Sequence, residues 1–341
     1  MIRVRSTAFD RACLPGRLIN YATYCLASAV RVCRLPRPDV VVVMTDPPVV
    51  GMIGVVAARR YGRPLVQISH DVYPEIAVAL GSMRSRVAVG AWRRMNRVVR
   101  STSASIIVVG RDMRELLVAD EVDPAKIIVI STWASCQPLG DGARAEVRSA
   151  MNWQNSFIVM HAGNAGLAQN LDALVDAAAD LRDDAGVQIV ILGDGAAKPG
   201  LVRRVAQEGL ENVVFLSHRP KDEAQALMCA ADVHVVSLMP GLWGCAAPSK
   251  TYGIMAAGRP FIAAVDAGSE PARIVRDFDC GVHVPAGDTK GLSEAIRQLR
   301  TSALEPAGAR ALAAYREHYT RDHATAATRA HLEAVVRRCA P

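Results

Sequence analysis

Short apolar runs alternate with longer segments of helical period along nearly the whole chain, and that order leaves few folds open. In the front half the runs fall at 2–5, 40–44, 65–69, 106–109 and 127–130. In the back half they fall at 157–161, 187–192, 213–216, 230–236, 261–265 and 281–284. Helical patterns lie between them, at 14–33, up to 61, 84–100, 170–181, 290–300 and 309–338. Strand, helix and strand in repeated succession build a parallel sheet with right-handed crossovers, so each half is expected to be an α/β, doubly wound sheet. A run such as Val-Val-Val-Val-Met at 40–44 predicts a strand buried on both faces. With 341 residues, 51% of them hydrophobic, the chain has material for two cores. The expected division is a first domain over 1–134, a linker over 135–155 marked by Pro138 to Gly142, and a second domain over 156–310. A C-terminal helix, 311–341, is expected to pack back towards the first domain. Two such domains would face each other across a cleft.

Charge divides the chain as well. Residues 1–134 carry 19 Lys and Arg against 10 Asp and Glu, whereas the remainder carries 21 against 23. A basic front half and a near-neutral back half imply different partners. The eight cysteines, from Cys13 to Cys339, contain no CxxC pair and stand mostly among apolar neighbours. Neither a metal nor a disulfide is expected of them, and a reducing cytosol fits. The first ten residues lack the apolar run of a signal peptide. Asp46, Pro47 and Pro48 interrupt the apolar stretch 40–56 far short of a membrane span.

Chemistry gathers just after the strands. The stretch 247–264, APSKTYGIMAAGRPFIAA, leads Pro248, Ser249 and Lys250 into a short helix that stops at Gly258. Backbone N–H groups and a lysine at a helix start suit an anion. The same letters also read as an ordinary helix-to-strand connection with a glycine stop. The strand at 157–161 runs into His161, Gly163, Asn164 and Gly166, where glycines let the backbone approach a phosphate. That spacing is not the dinucleotide fingerprint GxGxxG, which speaks against a dehydrogenase. His70 and Asp71 follow the strand at 65–69, and ligands collect at the carboxyl ends of parallel strands. Alternatively, Asp71 caps the next helix. Six arginines and Trp92 over 84–100 suit either an anionic membrane surface or a solvated crossover helix. Nucleic acid is not an expected partner, because aromatics are not interleaved with these basic residues beyond Trp92.

Taken in order, GNAG, LGDG, HRP, AADVHVV, PSKTYGIMAAGRP, GSE and CGVHVPAGD resemble the second domain of the retaining family 4 glycosyltransferases, which have the GT-B fold. DVVVVMTDPP and HDVYPEIAVALG in the front half resemble the branch that builds bacterial capsule, O-antigen or exopolysaccharide. Each piece alone carries little; their order carries the resemblance. It implies transfer of a sugar, with retention, from a UDP- or GDP-linked donor to a lipid-linked acceptor at the inner face of the membrane, with neither cofactor nor metal. It would place Gly163, Asn164 and Gly166 beside the donor phosphates and Arg219 near the nucleobase. Ser249, Lys250, Thr251 and Tyr252 would stand at the diphosphate-facing helix. Lys250 would steady the leaving group, and His70 and Asp71 would lie on the acceptor side.

Three departures accompany the resemblance. The family's two glutamates around the main helix are replaced by Cys245 and Gly253, which leaves Glu270 as the candidate ribose ligand. The basic pair after the first strand of the second domain is replaced by Asn164 and Gln169. The family's opening strand and glycine-rich loop are not found, so the first domain is expected to be incomplete by at least one βαβ unit. A non-catalytic remnant that binds a nucleotide-sugar or a protein is therefore a second reading. A sugar-nucleotide epimerase is a third, with only His70, Asp71 and Glu270 to move protons.

Overall fold

The computed structural model describes residues 2–9, 14–47 and 49–339, apart from the side chains of Leu14, Arg17 and Leu18; Cys13 and Pro48 lie outside the described residues. The chain divides into two compact units. One comprises Met1–Ile130, Gly244–Ala247 and Thr325–Pro341, the other Ser131–Trp243 and Pro248–Ala324.

The first unit runs α1 (Leu14–Val32), β1 (Val41–Met44), α2 (Gly51–Tyr61), β2 (Leu65–Ser69), α3 (Glu75–Ala79), α4 (Arg86–Thr102), β3 (Ser103–Val108), α5 (Arg111–Ala119) and β4 (Ile127–Val129). Its sheet is parallel throughout, in the order β1-β2-β3-β4. Ile106, Val108, Met113 and Leu117 form one core cluster, and Val43, Val55, Leu65 and Val99 another.

The second unit runs α6 (Asp141–Ala150), β5 (Phe157–Ala162), α7 (Leu171–Asp180), β6 (Val187–Leu192), α8 (Lys198–Glu208), β7 (Val213–Leu216), α9 (Lys221–Ala230), β8 (Val233–Ser237), α10 (Lys250–Ala256), β9 (Phe261–Ala264), α11 (Glu270–Phe278), β10 (Gly281–Val284), α12 (Thr289–Arg300), α13 (Leu304–His318) and the start of α14 (Arg321–Arg338). Its six strands are parallel in the order β10-β9-β8-β5-β6-β7. Every residue of β8 and β9 is buried, as a strand covered on both faces requires. Ile158, Ile189, Val190 and Ile191 have no exposed surface; each such side chain stabilises the fold by roughly 1.5–3 kcal/mol.

Several expectations are corrected. Residues 2–9 form no strand; the Thr7 hydroxyl binds the side chains of Asn20 and Thr23, so this segment is tied to α1 instead of a ladder. β1 is an edge strand, and Val42 and Met44 are 42% and 46% exposed instead of buried on both faces. Residues 135–155 are not a linker. They contain α6, and Trp153 is 2% exposed. Arg148 fixes this segment by donating to the carbonyls of Ala230, Trp153 and Ser156 and to the Asp232 carboxylate. The long C-terminal helix is two helices, because the Thr320 hydroxyl accepts from the His323 amide and starts α14 afresh. Trp92 of α4 lies half-buried and stacked on Tyr73, with ring centroids 5.9 Å apart.

Candidate functional site

In the second sheet the strand order reverses between β5 and β8, which pair through Val159 and Val233. Loops leaving neighbouring strands in opposite directions open a crevice at such a switch point, and ligands settle there. The loops that meet at this point are residues 163–170 after β5 and the approach to α10 after β8.

The β5 loop turns at Gly163, with φ +128°, and the β6 loop turns at Gly193, with φ +132°. The two turns lie against each other. Gly163 N donates to Leu192 O, and Ala165 N donates to Asp194 O at 3.0 Å. A Cβ at Gly193 would overlap the Gly163 carbonyl, and one at Gly195 the Ala165 carbonyl. Gly193 is required by backbone packing and by φ, Gly195 by packing, and Gly163 by φ. Gly166 is extended, at φ −83°, and a Cβ there would lie 2.9 Å from Asn164 Nδ2, which the Asn164 side chain can relieve by turning.

Lys250 reaches this loop from the first position of α10. Its Nζ donates to Gln169 Oε1 at 2.6 Å and lies 3.1 Å from His161 Nε2. A Cβ on Gly163 would stand 3.7 Å from Lys250 Cε. His161, the last residue but one of β5, has no exposed surface, and its Nδ1 has no hydrogen-bond partner among the described residues. Burial, then the neighbouring Lys250, hold the His161 imidazole well below its ordinary pKa. It is therefore neutral and accepts from the lysine. Burial also pushes Lys250 down to about 7. An ammonium held by an uncharged imidazole and an amide has its charge uncompensated, and an anion is what would compensate it.

Asp194 organises the next loop. It accepts from Lys198 Nζ at 2.8 Å and from the His218 amide at 2.8 Å. The hydrogen bond from Lys198, foremost, keeps its carboxyl below the usual range. Arg219 follows His218, exposed and 3.8 Å from Glu223. Glu270 is buried at the start of α11.

The structure thus gathers Gly163, Asn164, Gly166 and Lys250, and it sets Ser249 exposed at the head of α10. Two expected donor ligands point elsewhere. The Thr251 hydroxyl is buried and donates to Pro248 O. Tyr252 is buried in the core with its ring 5.0 Å from that of Tyr319. α10 is only seven residues long, so charge at its head rests on Lys250 more than on a helix dipole. His161 and Gln169 stand at the Gly163 loop in the sequence without an assigned role, and Asp194 and Lys198 join them only in the fold. A histidine closing an apolar strand, and an Asp-Gly followed by a lysine four residues on from the aspartate, were the signals for three of them.

In the first unit, His70 and Asp71 follow β2, and both backbone amides donate to Thr45 Oγ1, at 3.2 and 3.4 Å. Asp71 also pairs with Ala246 in an isolated antiparallel bridge. It does not cap a helix, since α3 begins after Pro74. Burial raises its carboxyl above the ordinary value, against the pull of neighbouring His70. Among the described residues no three His, Cys, Asp or Glu side chains are grouped to hold a metal ion. Nor is any described helix long and apolar enough to cross a membrane.

Residues 2–133 match the glycosyl transferase 4-like domain, and residues 156–302 match the glycosyl transferases group 1. The chain belongs to the glycosyltransferases. This glycosyltransferase is 26% identical over 269 residues to the probable glycosyltransferase WbjE of Pseudomonas aeruginosa, an alignment covering 78% of the chain and 67% of WbjE. It is 27% identical over 199 residues to the putative colanic acid biosynthesis glycosyl transferase WcaI of Escherichia coli K12, covering 57% of the chain and 49% of WcaI. It therefore spans about half to two thirds of the length of these relatives. Among solved structures, HepE of Anabaena in complex with UDP and glucose superposes with a TM-score of 0.74 at 16% identity, covering 96% of this chain and 84% of HepE. Sucrose-phosphate synthase of Thermosynechococcus elongatus superposes with a TM-score of 0.77 at 16% identity, covering 97% and 82%. These likenesses give the fold, which is GT-B.

Proposed function

We propose that this glycosyltransferase takes its sugar from a nucleoside diphosphate-sugar held in the second unit, with Lys250 facing the diphosphate. The supporting observation is the Lys250 ammonium, which is held by Gln169 and a neutral His161 beside the Gly163 turn. As the bond from the anomeric carbon to the donor oxygen breaks, negative charge grows on the departing diphosphate, and a lysine fixed in a low-dielectric site stabilises it. The acceptor oxygen attacks from the same face, with its proton passing to a donor phosphate oxygen, so configuration is retained. Glu270 is assigned to the ribose and Arg219 to the nucleobase. His70 and Asp71 are assigned to the acceptor. HepE, which shares the fold, was solved with UDP and with UDP-glucose, and WcaI is named for colanic acid biosynthesis. Both favour a nucleotide-sugar donor and a polysaccharide product.

A thermal-shift panel with UDP, GDP and their sugars tests the donor. At 100 times its dissociation constant a ligand adds about 2.7 kcal/mol to the folded state, a rise of roughly 5–10 °C for a unit of this size. UDP or GDP is expected to give that rise. A cooperative melt that no nucleotide moves would favour the non-catalytic reading, which Cys245 and Gly253 in place of glutamates already motivate.

The acceptor is proposed to be lipid-linked, with the first unit resting on an anionic membrane through α4. Arg86, Arg94 and Arg97 are exposed there, whereas Arg93 is paired with Glu75 and Arg100 with Asp120. Each arginine near such a surface contributes about 1 kcal/mol. Replacing these three by glutamine should weaken sedimentation with phosphatidylserine-containing vesicles roughly 100-fold. Equal sedimentation of wild type and variant would remove α4 from the membrane contact.

A further inference from the structure

Cys136 and Cys229 are far apart in sequence, yet their sulfurs lie 3.9 Å from each other in the second unit. Both side chains are buried, at 5% and 1% exposure, and both sulfurs turn towards the Gln137 carbonyl. The backbone around them is already fixed. Ser135 O accepts from Gln225 of α9, and Ala134 O accepts from the Tyr315 hydroxyl of α13. Cys229 closes α9, one residue before its end. A disulfide needs sulfurs at about 2.05 Å, so closing the bond calls for side-chain rotation and an approach of the two segments. The pair is also chemically unequal. The contact between the two sulfurs, foremost, with Arg259 and Arg144 near by, makes Cys229 the more acidic and Cys136 the less. A thiol with a second thiol 3.9 Å away has a partner that can resolve its sulfenic acid to a disulfide.

We propose that Cys136 and Cys229 form an oxidation site that closes to a disulfide, with a small peroxide as oxidant. The Cys229 thiolate attacks one oxygen of hydrogen peroxide, the O–O bond breaks, and hydroxide leaves with a sulfenic acid on Cys229. The Cys136 sulfur then attacks the Cys229 sulfur, the S–O bond breaks, and a second water is released once protons are counted. Two thiols and one peroxide give one disulfide and two waters. A dithiol reductant returns the pair to thiols. The bond would tie the segment ahead of α6 to α9, within the core cluster that also holds Tyr252 and Met255 of α10.

The test treats the full chain with hydrogen peroxide, alkylates remaining thiols after unfolding, and reads the peptides by mass spectrometry. Exposed Cys339 reports that oxidant was delivered. A cross-linked Cys136–Cys229 peptide, lost after dithiothreitol and absent from Cys136→Ser, is expected. The wild-type cross-link and its reversal stand without the variant if that protein folds poorly. Oxidised Cys339 with both buried cysteines recovered as thiols would overturn the proposal, as would sulfinic acid on Cys229 beside an unmodified Cys136.

Discussion

Replacing Lys250 by methionine is expected to lower kcat/KM by roughly 10²–10³-fold, the loss seen when one preorganised charge-stabilising donor is removed. Methionine fills the lysine stem, so the fold should survive and the loss should fall on the anion. The wild type should also show a pH dependence that the variant lacks. In the folded chain burial pushes Lys250 down to about 7, and a bound diphosphate favours its charged form. Above that pH the site must take up a proton as the ligand enters. UDP affinity should then fall about tenfold per pH unit between roughly 7.5 and 9, with nearly one proton absorbed per UDP at pH 8. Calorimetry in buffers of different ionisation enthalpy measures that proton directly. Stability shifts with the opposite slope. Between pH 7 and the ordinary lysine range the unfolded chain binds more protons than the folded one, so lysine's penalty is greatest below pH 7 and fades as pH rises. The methionine variant without ligand should therefore melt above wild type at pH 6.5, and the gap should narrow by pH 9. Flat, equal UDP affinities for both proteins across pH 7.5–9 would separate Lys250 from the diphosphate.

Much of this architecture is legible because parallel strands covered on both faces must be continuous apolar runs, and β5, β6, β8 and β9 are such runs. β1 has the same letters but stands at a sheet edge, and periodicity cannot tell an edge from a centre. α6 is illegible for another reason. It has no buried residue of its own, and is held by Arg148, by Trp153 beyond its end and by the half-buried Val147 and Met151. The glycine turns announce themselves, and so does Lys250. What brings Lys250 to His161, 89 positions away, is the pairing of β5 with β8, a product of the crossover order. Cys136 and Cys229 are in the same position: each reads as a lone apolar cysteine until α9 folds over the segment before α6. Thr251 and Tyr252, which the resemblance sets at the diphosphate-facing helix, turn to other contacts, the Thr251 hydroxyl to Pro248 O and the Tyr252 ring to Tyr319. On a helix, neighbours one and two residues on point to other faces.

The second large effect is expected at Gly193. Alanine there must adopt φ +132°, a conformation L-residues rarely take, and its Cβ must displace the Gly163 carbonyl. That carbonyl is backbone, and Gly163 is itself held through its amide to Leu192, so neither turn can yield alone. Strain of about 1–3 kcal/mol for the dihedral, with overpacking of similar size, makes a loss of roughly 3–5 kcal/mol. Gly200→Ala supplies the contrast. Gly200 lies in α8 with nothing within 4 Å of an added Cβ, and it has no left-handed φ to preserve. Alanine in that helix should stabilise by about 0.5–1 kcal/mol. Urea unfolding of both variants measures the difference, and UDP titration of the Gly193→Ala protein below its melting point shows where the strain goes. If the displaced Gly163 turn is the donor's seat, UDP affinity should fall along with stability. A Gly193→Ala chain as stable as Gly200→Ala would mean that the two glycine turns do not press on one another, and the packing argument for the site would fail with it.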